Sequence, residues 1–343
     1  MSYQVFCMGN PLLDMQVVNR EDLLKKYDLK PNDAILAAEK HAPLYDEVSK
    51  EHNVTYLAGG AAQNTARAAA YVLPPCSVVY TGCVGNDDLA EQLKSANKKE
   101  GVDNLYLVKE GEKTGACAAI ITGHHRSLVT TLRAAEMFDK AHLSSPAVTS
   151  AIDSAKLFYV GGFFLTHGTP SVVELGQKAS AAGKTFVLNL SAPFIAQFFT
   201  VNLQQVLTYC DIIICNETEA ESWAAASGLP NTKDVAEIAK AIALLPKTNA
   251  SRPRTVIVTQ GENPTVLVTS SEPDIPRIYQ VEKLDSSKIV DTNGAGDAFA
   301  GAFIGACVLG KDIGECVLAG HALAAICVQQ VGPQYKWPKV QII

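Results

Sequence analysis

The stretch DTNGAGDAF, Asp291–Phe299, sets two glycines around one alanine and places a carboxylate directly behind them. KIVD before it reads as a strand ending at Asp291, and a small, apolar helical pattern begins near Gly296. Little side-chain bulk lies between Thr292 and Gly296, so a ligand can approach the backbone there. A helix N-terminus leaves amides unpaired and carries a partial positive charge. Glycines ahead of it allow the backbone angles of an anion cradle. The segment is therefore a candidate phosphate site. It is not a Walker loop, since no Gly-Lys-Ser/Thr follows, nor the dinucleotide fingerprint, since Phe299 stands where a third glycine is needed. Two readings of Asp297 stand level on local sequence. One is a first-turn acid that answers the helix dipole. The other is a general base that takes a substrate hydroxyl proton while the adjacent amides hold the transferring phosphoryl group.

Other polar residues also admit more than one reading. Asn216 and Glu219 form N-x-x-E directly behind the apolar run DIIIC. The spacing is a capping pattern, and a strand end is where ligands of α/β sheets gather. Arg126 in TGHHRSLVTTL reads as an exposed hairpin charge, and His124 and His125 as turn residues rather than metal ligands. His321, alone in a helical pattern, reads as a packed histidine. The nine cysteines include no C-x-x-C pair, which points to buried, reduced thiols in a cytoplasmic protein.

The hydrophobic pattern supplies the scaffold for these residues. YQVFCMG, SVVYTGCVG, DNLYLV, LFYVGGFF, TFVLNL, DIIICN and TVIVTQ read as strands, with helical stretches such as DDLAEQLKSANKKEG and DVAEIAKAIALL between them. Near-continuous Val/Ile/Leu strands alternating with helices predict an α/β fold with a Rossmann-like, mostly parallel central sheet flanked by helices. Residues 14–60 break the pattern with short strands, DAILAA and NVTYLAG, around two charged helices. Residues 115–132 read as a hairpin. We assign 14–60 and 115–132 to a small α/β lid, and 1–13, 61–114 and 133–343 to a large nucleotide-binding and catalytic domain. The two Ala/Gly-rich helical runs near the end, AGDAFAGAFIGACVL and GECVLAGHALAAICVQQ, predict close packing.

With 343 residues, 48% hydrophobic and 19% charged, the chain has material for a large core and too little charge for disorder. A net charge of −6 gives no global attraction for nucleic acid or anionic membranes, so any anion site is local. No window reaches the ~18 apolar residues of a spanning helix, and MSYQVFCMGN lacks the basic and apolar regions of a leader.

DTNGAGDAF resembles the C-terminal signature of the ribokinase-like sugar and nucleoside kinases, and the glycine pair of LAGGAAQNTARAAAY (57–71) resembles their N-terminal one. The resemblance extends over essentially the whole chain. MGNPLLD (8–14), TGHHRSLVTTL (122–132), NLSAPF (189–194) and NETEAE (216–221) are similar to the members of that family that phosphorylate adenosine. It implies ATP-dependent transfer to the 5′-hydroxyl of adenosine, giving AMP and ADP in purine salvage, with Mg²⁺ on the phosphates. It implies Asp297 as the base, Gly294, Ala295 and Gly296 as the anion hole, and Arg126 closing over the phosphates. Asn10 and Asp14 would grip the ribose hydroxyls, helped by Gly59, Gly60 and Asn64. Leu12, Leu36, Cys117, Leu128, Leu132 and Phe163 would form an apolar slot for the base. Asn216, Thr259, Gly261, Asn293 and His321 would hold the phosphate donor, and Glu219 the metal through water. The role of Asp291 stays open.

Ala34, Ala61 and His167 depart from residues common in relatives and touch the base pocket or its rim. The lid helices should cover the lid sheet, so a monomer is expected, without nucleic acid or membrane partners, in the cytoplasm and with the nucleus as a second compartment. The competing readings are a related kinase acting on another nucleoside or a free sugar, a catalytically silent nucleoside-binding protein, and a nicotinamide dehydrogenase, against which the missing G-x-G-x-x-G stands.

Overall fold

The computed structural model describes residues 2–31, 34–50, 53–123, 125–231 and 233–343. His124 lies outside the described residues, as do the side chains of Ala34 and His125.

A nine-stranded sheet runs through the molecule in the order 272–279, 263–269, 255–260, 212–216, 185–189, 157–161, 5–8, 78–81, 102–104. The strands from Thr255–Gln260 to Val102–Asn104 are mutually parallel, and Asn263–Thr269 and Glu272–Tyr279 add an antiparallel edge. The central strands are apolar on both faces because both are covered. Phe6, Phe158, Phe186 and Ile213 point into one core, and Val5, Tyr159, Val187 and Ile214 into the other. The expected α/β sheet is present, and the antiparallel edge is additional to the strands read from the sequence.

Several expected strands are shorter or different, and DNLYLV divides between Val102–Asn104 and Leu107–Lys109. SVVYTGCVG divides at Gly82, where the chain passes against Gly9 and Pro11, so Val78–Thr81 joins the large sheet and Cys83–Gly85 pairs with Leu107–Lys109. LFYVGGFF is a strand only to Gly161, and Gly162–Thr166 turns into a 3-10 helix. KIVD is not a strand. The amides of Val290 and Asp291 both donate to Val328 C=O, at 2.8 and 3.2 Å, which ties this loop to the end of the helix Ile313–Cys327. Ile289 and Val290 stay exposed, so their apolar character marks no buried strand.

A second sheet has the order 34–36, 125–131, 116–122, 12–18, 55–59. One face is closed by the helices Glu21–Lys26 and Ala42–Ser49, whose Leu23, Leu24, Leu44, Tyr45 and Val48 bury Met15, Val17, Ala118 and Ile120. The other face turns toward the C-terminal ends of the parallel strands. Beneath it, the helix Ala295–Val308 packs on Ala61–Val72. A side chain at Gly301 would overlap Ala68, so the small residues read from the sequence do set this close approach.

Candidate active site

The two sheets and the paired helices enclose a cavity of ≈ 460 Å³. One end is chemical. Gly294, with φ +79°, caps the helix Ala295–Val308 without a side-chain cap. The first bond of that helix runs from Ala298 N–H to Gly294 C=O, 2.8 Å. The Gly296 and Asp297 amides precede it, where a helix lacks internal acceptors. A Cβ at Gly296 would meet nothing within 4 Å, so the loop is open to an approaching anion.

Asp297 sits half-buried on the cavity wall. Burial pushes its carboxyl up to about 7; the hydrogen bond from Asn64 pulls it down, and nearby Asp14 and Glu219 push it up. Asn64 Nδ2 donates to Asp297 Oδ2 at 3.0 Å. Asn64 is itself set by Arg67, which donates to Asn64 Oδ1 at 3.2 Å, to Ala58 C=O at 2.8 Å and to both oxygens of Glu100 at 2.7 and 3.0 Å. A buried guanidinium thus aims an amide donor at the candidate base. The carboxylate is held ionisable near neutral pH, the range in which a general base works best.

Asp14 is 6% exposed and accepts no hydrogen bond from the described residues. Burial raises it to about 6, and the charges of Arg126 and Arg67 hold it down. Its carboxylate lies against Gly59, where any Cβ would overlap it. Gly60 follows with φ +87°, and a side chain there would overlap Asn10 C=O. The glycine pair therefore lets the strand Thr55–Gly59 and the next helix close around a buried carboxylate whose oxygens face the cavity. A buried acceptor without a donor is costly, and hydroxyls of a ligand would relieve that cost.

The other end is apolar. Leu12, Leu36, Cys117, Leu128, Leu132 and Phe163, the residues singled out by the family resemblance, line it together with Ile35, Thr130, Phe164 and Phe194. Burial pushes the Cys117 thiol up to about 12, so it lines the slot as a neutral group.

At the strand end near the anion loop, Asn216 and Glu219 form a reciprocal cap. Asn216 Oδ1 accepts from Glu219 N–H at 2.8 Å, while Glu219 accepts from the Asn216 amide N–H at 3.1 Å and from Asn216 Nδ2 at 3.0 Å. Burial pushes Glu219 up to about 7; the Asn216 backbone amide opposes this. Both residues line the cavity. Among the described residues no group of three His, Cys, Asp or Glu gathers to ligate a metal. The oxygens of Glu219 and Oδ1 of Asn216 are taken up in this cap, so any cation here would be met through water rather than by direct ligation.

A model of the family described as pfkB family carbohydrate kinase matches residues 21–340. The chain belongs to the pfkB family of carbohydrate kinases. Within this family it is 64% identical over 342 residues to the adenosine kinase of Schizophyllum commune, covering 100% of this chain and 99% of that one. It is 46% identical to the adenosine kinase of Saccharomyces cerevisiae, with 99% of each chain covered. The crystal structure of Anopheles gambiae adenosine kinase in complex with P1,P4-di(adenosine-5) tetraphosphate matches with a TM-score of 0.91 at 40% identity, over 97% of both chains.

Most of the residues that the resemblance to this kinase family singled out meet at one cavity: Asn10, Leu12, Asp14, Leu36, Gly60, Asn64, Cys117, Leu128, Leu132, Phe163, Asn216, Glu219, Thr259, Asn293, Gly294, Gly296 and Asp297. Gly59 borders it through Asp14, and Ala295 continues the anion loop as the first helical residue. Three do not reach it. Arg126 is neither an exposed hairpin charge nor on the cavity wall: it is largely buried in an ion pair with Asp291. Asp291 also accepts from Asn293 N–H at 2.9 Å and Gly332 N–H at 2.8 Å, so it fastens the glycine loop to the strand His125–Thr131. His321 packs on Phe299 and bonds Thr265 Oγ1 at 2.8 Å, which matches the plain packed reading. Gly261 sits in an open turn with φ +58°. Residues missed from the sequence include Ser191 and Phe194 of NLSAPF. Ser191, with φ +69°, accepts from Gly162 N–H at 2.8 Å and holds the turn that carries Phe163. That motif was visible, but its individual side chains carried no spacing signal.

Proposed function

We propose that this protein is an adenosine kinase that transfers the γ-phosphoryl group of ATP to the 5′-hydroxyl of adenosine. The observation that carries this reading is the single cavity in which Asp297 and the Gly294–Gly296 loop stand at one end and the Leu12–Leu128–Phe163 slot at the other. Asp297 takes the 5′-hydroxyl proton as the new O–P bond forms. The bond to the bridging oxygen breaks, and its electron pair leaves on ADP. The open amides of Gly296 and Asp297, presented by the Gly294–Ala295–Gly296 turn, stabilise the charge on the transferring group. Asp14 and Asn10 hold the ribose diol, and a flat, apolar-faced purine fits the slot. Glu219 and Asn216 would hold Mg²⁺ through water, and the ion would neutralise charge on the ATP phosphates. Thr259 and Asn293 meet the donor nucleotide. Arg126 leaves Asp291 to meet the phosphates, and the sheet of residues 14–60 and 115–132 acts as a lid that excludes water.

Helices already cover one face of the lid sheet, which favours a monomer, and the uniformly unpaired cysteines favour a cytoplasmic or nuclear setting. No helix among the described residues is long and apolar enough to cross a membrane, and the net charge of −6 argues against a nucleic-acid partner. The test is ADP release from Mg-ATP with adenosine, inosine, guanosine, ribose or water as acceptor. Preference for adenosine with AMP as product supports the reading. Preference for ribose or inosine would instead make it a different kinase of this family, and adenosine binding with no turnover would make it a silent binding protein.

A further inference from the structure

The place of His167 in the fold gives it a role. It follows the 3-10 helix Gly162–Thr166, which carries Phe163 into the apolar slot. Its ring stands edge-on to Phe164, with centroids 4.9 Å apart. Its Nε2 lies 2.9 Å from Asn10 Oδ1. Its Nδ1 is buried and has no hydrogen-bond partner among the described residues.

These contacts select one proton arrangement. If Nδ1 carried the hydrogen, a buried N–H would be orphaned, and Nε2 could accept only from a flipped Asn10 amide. If Nε2 carries it, only a lone pair is orphaned, and an under-satisfied acceptor is the more tolerable of the two. Burial also pushes the His167 ring down to about 4, so the neutral form prevails at neutral pH. With Oδ1 engaged by His167, the Asn10 Nδ2 group has no partner among the described residues. Asn10 lines the same cavity as the donor-free Asp14 carboxylate.

We propose that His167 is a positioning residue for the substrate diol: its Nε2–H donates to Asn10 Oδ1 and locks the amide with its Nδ2 donors toward the cavity. Asp14 then supplies acceptors and Asn10 supplies donors, so two vicinal hydroxyls are read with opposite polarity. This inference rests on the adenosine kinase reading.

The test is a double-mutant cycle on the full-length protein with His167→Val and Asn10→Ala, reading adenosine Kd by calorimetry, with KM and kcat alongside. His167→Val should weaken adenosine binding about fivefold, the value of one neutral hydrogen bond, and raise KM with kcat within about twofold. In the Asn10→Ala background the same change should have no further effect. His167→Gln, which retains a donor, should recover part of the loss, and Tm will check that each variant folds. An unchanged Kd in His167→Val, or the same loss whether or not Asn10 is present, would overturn the inference. Failure of the wild-type protein to bind adenosine at all would instead sink the functional reading.

Discussion

Asn64→Ala probes the electrostatics of the candidate base. Asn64 Nδ2 is 3.0 Å from Asp297 Oδ2, and its hydrogen bond opposes the burial that raises the carboxyl, the balance standing at about 7. A hydrogen bond to a charged group contributes about 1.5–3 kcal/mol. The carboxylate opens onto the cavity, so water can replace part of the lost bond and the low end applies. That is about one pKa unit. A base works only when ionised, so activity rises with pH through its pKa. The acid limb of kcat/KM, which reports the free enzyme, should therefore move from about 7 to about 8. At pH 7 the ionised fraction falls from about half to about a tenth, a loss of about fivefold, which should disappear above about pH 9. The assay is coupled ADP release with adenosine between pH 5.5 and 9.5. Any direct contact of Asn64 with substrate lowers the plateau without moving the limb, so the two effects separate. An acid limb unmoved in Asn64→Ala would refute the reasoning.

Two other substitutions test the cavity walls. Leu128→Asp places a charge in the apolar slot and should raise the adenosine KM more than about tenfold; an unchanged KM would remove Leu128 from the pocket. Gly60→Ala forces a side chain onto φ +87° and into Asn10 C=O, and should lower stability by about 2 kcal/mol; denaturant unfolding that matches wild type would show that the glycine is dispensable.

The parallel sheet was legible because strands such as VFCM, LFYVG and IIICN are buried on both faces and cannot alternate with polar residues. KIVD looked similar but stays largely exposed, held by Val328 rather than by a neighbouring strand. Asp297 and its glycines were legible as a candidate site because they fall in one short stretch of sequence. Its partner Asn64 is 233 residues away and was read only as a ribose contact. The pair Arg126–Asp291 spans 165 residues. Neither residue carries a local signal of the other, so Arg126 alone looked like a surface charge. His167 was visible as a departure at the rim of the base pocket, but its reach to Asn10 depends on the turn after Phe163, which the strand-like run LFYVGGFF concealed.

The most direct measurement is turnover and adenosine affinity of Asp297→Asn side by side with wild type. The substitution keeps shape and a polar contact for Asn64 while removing the group that takes the proton. The account predicts adenosine binding within a few-fold of wild type and a kcat reduced by about 10³, within the range of general-base contributions. Turnover within tenfold of wild type, with AMP still the product, would contradict the assignment of Asp297 as the base.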